Sequence, residues 1–193
     1  MNYIRVNQVG ANSLDRINKI LAGVQGGIWK VTSAAMKRAG ETAKTRAGEF
    51  AASQYAINKN DFMRKVKIKS HIASEDGGVV SMSISYSGNV IPLLTFNTKF
   101  SRGGEVQTQV KKGGAATVLK HAFAAKIFGP ISIFERVGTS RFPVEQKFGP
   151  SAAHMMQNDE VIKMMDETIR ETYEKRIEHE ITRVLAGIGG GRK

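Results

Sequence analysis

Residues 122–151 read AFAAKIFGPISIFERVGTSRFPVEQKFGPS, and this stretch decides the fold. Apolar runs over 121–127 and 131–137 flank Phe128-Gly129-Pro130. That pattern predicts a short antiparallel hairpin closed by turn-forming residues. A basic loop over 139–149 follows, carrying Arg141 and Pro143. Gly149-Pro150 then halts the chain before a long helix expected to start near Ser151 or Ala152. The apolar positions of the stretch build structure, and its polar positions form no catalytic set.

Upstream lies a second hairpin. MRKVKIKSHIA (63–73) alternates, with Val66, Ile68 and Ile72 on one side and Lys65, Lys67 and Lys69 on the other. Period two predicts a half-buried strand with ammonium groups in a row on its open face. VVSMSISY (79–86) alternates again, and Ser74-Glu75-Asp76-Gly77-Gly78 between the two is a turn cluster. VIPLLTF (90–96) contains Pro92 and so predicts an edge segment or loop. A basic Gly-rich loop over 100–104, a strand over 105–110 and a turn at Lys111-Lys112-Gly113-Gly114 complete the middle of the chain.

Helices are expected on both sides. Leu14, Ile17, Leu21, Val24, Ile28 and Val31 form one apolar stripe after Ser13, a plausible N-cap. Gly26-Gly27 predicts a break or kink, because each glycine costs about 1 kcal/mol against alanine. Ala35, Ala39, Ala43, Ala47 and Phe50 continue a helix whose small residues allow close approach by a neighbour. At the other end Val161, Met165, Ile169, Tyr173, Ile177, Ile181 and Leu185 form a second stripe, with Glu171–Lys175 spaced for an ion pair. The expectation is therefore an α+β fold: an antiparallel sheet packed by a long N-terminal helix and a long C-terminal helix. As one domain it spans 1–187, with helical region 13–53, sheet 63–137 and final helix 152–186; residues 188–193 are expected to be a flexible basic tail.

The 193 residues carry 29 Lys and Arg against 17 Asp and Glu, a net charge of +12. Residues 1–75 hold 13 basic against 5 acidic side chains (+8), residues 76–150 hold 9 against 4 (+5), and residues 151–193 hold 7 against 8 (−1). A positive field over the first three quarters attracts polyanions, nucleic acid above all. A solubilising surface is the plainer reading of the same charges. With no cysteine, disulfides and thiolate metal sites are excluded, which fits a reducing compartment. No apolar run reaches the roughly 18–20 residues that cross a bilayer. MNYIRVNQVGANS has no apolar core of a signal peptide, so the protein is expected to stay where it is made.

Signals for chemistry are sparse. His71, His121, His154 and His179 fall on different elements, and His179-Glu180 lacks the second histidine of a zinc-protease helix. The glycine pairs fit turns and give neither a P-loop nor a dinucleotide fingerprint. Asp159-Glu160 and Asp166-Glu167 lie at a helix start, where the macrodipole favours negative charge without catalysis. No enzyme activity, cofactor or metal is expected. Lys65, Lys67, Lys69, Lys111 and Lys112 are candidate contacts to DNA or an acidic partner. Arg136, Arg141, Phe142 and Pro143 form a candidate subunit-interface loop, although surface or interface salt bridges are a better-favoured reading of the two arginines than capture of an acidic group.

The order of pieces resembles the minor tail protein Z (tail completion) family of tailed phages. The pieces are Ile91-Pro92-Leu93 with Phe96, Ala122-Phe123 with Ala125, then Phe134, Arg136, Gly138, Arg141-Phe142-Pro143-Val144 and Gly149-Pro150-Ser151. The resemblance runs from about residue 34 to 185 and leaves the first thirty residues uncovered. It implies a curled antiparallel β-sheet with helices packed on it, in a virion structural protein that completes the tail, a homo-oligomeric ring around the DNA channel at the head-proximal end of the tail tube. Tail or neck proteins and genomic DNA, held through its backbone, would be its partners; no membrane is implied. Assembly would take place in the host bacterial cytoplasm. The family contributes no catalytic site. A basic module gripping DNA phosphates is the alternative.

Overall fold

A computed structural model describes residues 2–7, 11–74, 80–102, 104–127 and 129–187. The fold is α+β. In chain order the elements are β1 (Asn2–Asn7), α1 (Ala11–Leu21), α2 (Gly27–Gln54), α3 (Lys59–Lys65), β2 (Lys67–Ser74) and β3 (Val80–Ser87). They continue with β4 (Val90–Pro92), β5 (Asn97–Phe100), β6 (Val106–Gln109), β7 (Thr117–Leu119), β8 (Ala122–Ala125) and β9 (Ser132–Arg136). The last four are β10 (Val144–Gln146), β11 (Phe148–Ser151), α4 (Ala152–Met155) and α5 (Asp159–Leu185). The strands are distributed over four small sheets, and every pair whose register is resolved is antiparallel.

Two compact units divide the chain, and neither is contiguous in sequence. The first comprises Met1–Arg46, Ile68–Ser85 and Ile162–Lys193; the second comprises Ala47–Lys67 and Tyr86–Val161. The divisions fall inside α2, β2, β3 and α5. No composition shift or linker marks them.

In the first unit, three strands lie in the order β1-β3-β2. Strand β3 is central, and its alternating Val80, Met82 and Ile84 are all buried. The connecting turn at 75–79 lies outside the described residues, as do residues 188–193. The alanine ladder of α2 is fully buried at Ala35, Ala39 and Ala43. Its small side chains bring the helix close to the sheet: at Gly40 the Met82 sulfur occupies the space a Cβ would take. Helix α5 buries Met165, Ile169, Tyr173, Ile177 and Ile181, while Leu185 is exposed where the helix runs out. The break between α1 and α2 is a double turn, with Val24 N donating to Leu21 O and Gly27 N to Val24 O, both at 2.9 Å. Gly26 there has φ +66, a region open to glycine.

Four expectations about local structure are corrected. The final helix expected over 152–186 is two helices, α4 ending at Met155 and α5 opening at Asp159. Helix α1 begins at Ala11, so Ser13 lies in its first turn rather than capping it. Residues 63–65 are helical, not the start of a strand. Asn58 caps α3 by accepting from Asn60 N at 2.9 Å, and Phe62 is fully buried. That burial selects the helix over the alternation, and Asp61 in its first turn adds the favourable charge. On α5, Arg170 bonds back to Asp166 at 2.6 Å, and among the described residues Glu171 and Lys175 form no ion pair.

In the second unit, β9 sits between β10 and β8, β6 sits between β5 and β7, and β11 pairs with β4. Strand β5, the short β7, and β10 and β11 all fall where loops were expected or no element was assigned. The β8–β9 hairpin forms as expected, and its register, which the sequence reading left open, sets Phe123 opposite Phe134; Phe128 between the strands lies outside the described residues. Asn158 opens α5 by accepting from Glu160 N at 3.1 Å, and its side chain also bonds the Tyr55 hydroxyl. Burial pushes the Tyr55 phenol up, with that hydrogen bond opposing it.

Tyr86 is 2% exposed, and burial raises its pKa well above the ordinary 10.0. Below that value both folded and unfolded chains keep the phenol protonated, so stability is unaffected. Above it the unfolded chain ionises while the fold holds the proton, and stability falls as pH rises. Thermal melts above about pH 10 should therefore drop more steeply for the parent than for Tyr86→Phe. Equal slopes would exclude Tyr86 as the cause.

Candidate functional site

The β9–β10 hairpin within the stretch 122–151 ends in an exposed apolar tip. The register pairs Val144 with Arg136, Glu145 with Glu135 and Gln146 with Phe134. Beyond it, Val137 N donates to Pro143 O at 3.2 Å and closes the neck of the loop. The Phe142-Pro143 peptide is cis. Phe142 is 63% exposed and Val137 58%, so the tip presents two apolar side chains to solvent. The Arg141 guanidinium lies 5.7 Å from the centroid of the Phe142 ring.

Arg136 stands at the base of this tip, its guanidinium 5.0 Å from the Phe123 ring centroid. The neighbouring carboxylate, Glu135, is taken by Lys147 at 2.5 Å. Among the described residues neither Arg136 nor Arg141 meets a carboxylate. Both cations are thus held by aromatic faces and remain open to an acidic partner, an arrangement worth about 0.5–1 kcal/mol each at exposed sites. The loop proposed from sequence is one surface; what sequence reading missed is Phe123, which positions Arg136. Cross-strand pairing with Phe134 would have been the signal for it.

Other pieces separated in sequence also meet. Strand β4 pairs Ile91 with Gly149 and Pro92 with Phe148 of β11. The Phe96 ring fills the space next to Gly149 that a side chain would need. Ile91, Leu93 and Phe96 are all buried, so these residues form part of the core of the second unit.

The lysines separate into different places. Lys67 and Lys69 occupy alternate positions of β2 and both are exposed, as the period-two pattern requires. Lys65 ends α3 instead, so the expected row of three on one strand is corrected to two. Lys65 and Lys67 belong to the second unit and Lys69 to the first. Lys111 and Lys112 are exposed in the turn after β6, tied by backbone alone: Lys111 bridges Tyr55, and Lys112 N donates to Gln54 O at 2.8 Å.

Among the described residues no group of three or more His, Cys, Asp or Glu side chains could hold a metal ion. No helix among them is long and apolar enough to cross a membrane. No family model, no curated protein and no solved structure matches the chain.

Proposed function

We propose that this chain is a structural subunit of a tailed-phage virion, one that completes the tail by assembling as a ring around the DNA channel near the head-proximal end of the tail tube. The observation that carries the proposal is the β9–β10 tip. Phe142 and Val137 are more than half exposed there, beside Arg136 and Arg141, which have no carboxylate partner among the described residues. Apolar side chains with adjacent cations at the end of a hairpin are suited to a neighbouring subunit, since aromatic residues and arginine dominate the energetic centres of interfaces. The tip also contains some of the pieces, Arg136, Gly138 and Arg141-Phe142-Pro143, in a sequence that resembles the minor tail protein Z family from about residue 34 to 185. A ring needs such heterologous contacts, in which one surface of each copy meets a different surface of the next.

The surplus of basic residues over residues 1–150 suits a wall facing packaged DNA, where contact goes to phosphates and not to bases. On this proposal no residue is catalytic, and the protein resides in the tail of the virion after assembly in the host bacterial cytoplasm. Size-exclusion chromatography with light scattering, with and without DNA, tests it together with negative-stain imaging. Rings with a central hole, alone or with a tail-tube partner, are expected. A protein that stays monomeric under all these conditions and fails to join tails would rule the proposal out.

A second reading is favoured by the exposed Lys67, Lys69, Lys111 and Lys112, which have no ion pair among the described residues. It makes the chain a module that grips nucleic-acid backbone without forming rings. Duplex binding by a stable monomer, falling steeply with salt, would select it.

A further inference from the structure

The second unit contains a half-open cleft of about 480 Å³ bounded by the end of α3, the β3–β4 connection and the start of β11. Its wall includes Arg64, Lys65, Lys67, Ser87, Asn89 and Phe148, and no carboxylate lines it. Lys65 and Lys67 have no ion pair among the described residues. Arg64 lies 3.8 Å from Asp61, too long for a hydrogen bond, and its side chain is 79% exposed. The floor is a close backbone approach: a Cβ on Gly88 would lie 2.5 Å from the Lys65 carbonyl oxygen. Only glycine allows the β3–β4 connection to lie that near the end of α3, which keeps Lys65, Ser87 and Asn89 around one space.

Favourable interaction with the C-terminal dipole of α3 accounts for Arg64 and Lys65 in its last turn. It accounts for neither Lys67, which lies beyond the helix, nor Phe148, an aromatic residue 46% exposed at the same cleft. Three cations around one space match the oxygens of a phosphate, with the arginine fork able to take two at once. A half-exposed phenyl ring beside them provides a face on which a base can stack. The Ser87 hydroxyl and Asn89 amide add donors and acceptors suited to a sugar or a base edge. The volume lies in the ordinary range of small-ligand sites.

We infer that this cleft binds one nucleotide, its phosphate among Arg64, Lys65 and Lys67 and its base against Phe148, either as the free monophosphate or within a single strand. The inference does not depend on ring formation, so each can fail without the other. The test is titration of the full chain, at about 50 mM salt, with inorganic phosphate, thymidine monophosphate, an oligothymidine single strand and a duplex of equal length. Binding of the monophosphate or single strand in preference to the duplex is expected. Tighter binding of the strand than of the monophosphate identifies the strand as the ligand, and equal binding identifies the free nucleotide.

Lys65→Ala with Lys67→Ala should weaken that binding at least about 10-fold and flatten its salt dependence. Phe148→Ala should weaken it about 5- to 150-fold, and Phe148→Tyr, which keeps a stacking face, should restore it. Circular dichroism of each variant shows whether the fold is intact. Equal affinity for duplex, or indifference to Phe148→Ala in a folded protein, would mean bare surface electrostatics and overturn the inference. Failure of every probe to bind would overturn it as well.

Discussion

Phe134→Ala is expected to lower the free energy of unfolding by about 3–5 kcal/mol. Phe134 is 1% exposed and lies on β9, the middle strand of the β10-β9-β8 sheet. It is opposite Phe123 on one side and Gln146 on the other, with the Phe123 and Phe134 rings 6.3 Å apart. Backbone pairing on both edges of β9 holds the strand in place, so the walls cannot close over the space the ring leaves. The cost therefore combines lost burial with an unfilled cavity. Urea denaturation checks it: the midpoint should fall while the dependence on denaturant stays the same. Phe134→Leu should recover most of the loss, because it refills much of the volume. A change below about 1 kcal/mol for Phe134→Ala would mean that this sheet contributes little to the core.

The second large effect is expected at the tip of the β9–β10 hairpin and rests on the proposed assembly. Phe142→Ala should weaken self-association by about 30-fold or more, the loss typical of an aromatic anchor worth 2 kcal/mol. Its ring is 63% exposed in the single chain, so the same substitution should leave the urea midpoint unchanged. Arg141→Glu should also disrupt assembly, because it reverses the charge beside the ring. Sedimentation or light scattering over a dilution series measures both variants against the parent. Unchanged assembly in both would remove this tip from the interface. Phe134 and Phe142 thus test opposite roles for two phenylalanines of one hairpin, stability in the first case and association in the second.

Long periodic elements were legible because their burial follows from repetition along a single segment. The stripe of α5 from Val161 to Ile181, the alanine ladder of α2 and the alternation of β3 are buried where their spacing places them. Leu185 continues the stripe in sequence but is 55% exposed, since the period carries no information about where packing ends. Short elements without apolar alternation of their own were not legible. Strands β7 and β10 are three residues each, and β5 reads NTKF with no apolar alternation. Such strands are held by cross-strand hydrogen bonds to their neighbours, which local propensity does not encode. Residues 63–65 failed for a related reason: Lys65 and Lys67 alternate with Val66, yet the buried Phe62 and the Asn58 cap decided for a helix.

Sequence by itself determined the α+β class, the two long helices, the break at Gly26, the β8–β9 hairpin and the excess of positive charge. It also brought together the residues at the exposed tip and its base, because Arg136, Arg141, Phe142 and Pro143 lie within eight consecutive positions. Only the tertiary structure decided that β4 and β11 pair, that the chain divides into two interleaved units, and that Arg64, Lys65, Lys67 and Phe148 line one cleft. The physical reason is the range of the interactions. Hydrophobic periodicity and capping act within a few residues of chain, whereas strand partners and cleft walls are chosen by packing between segments far apart in sequence.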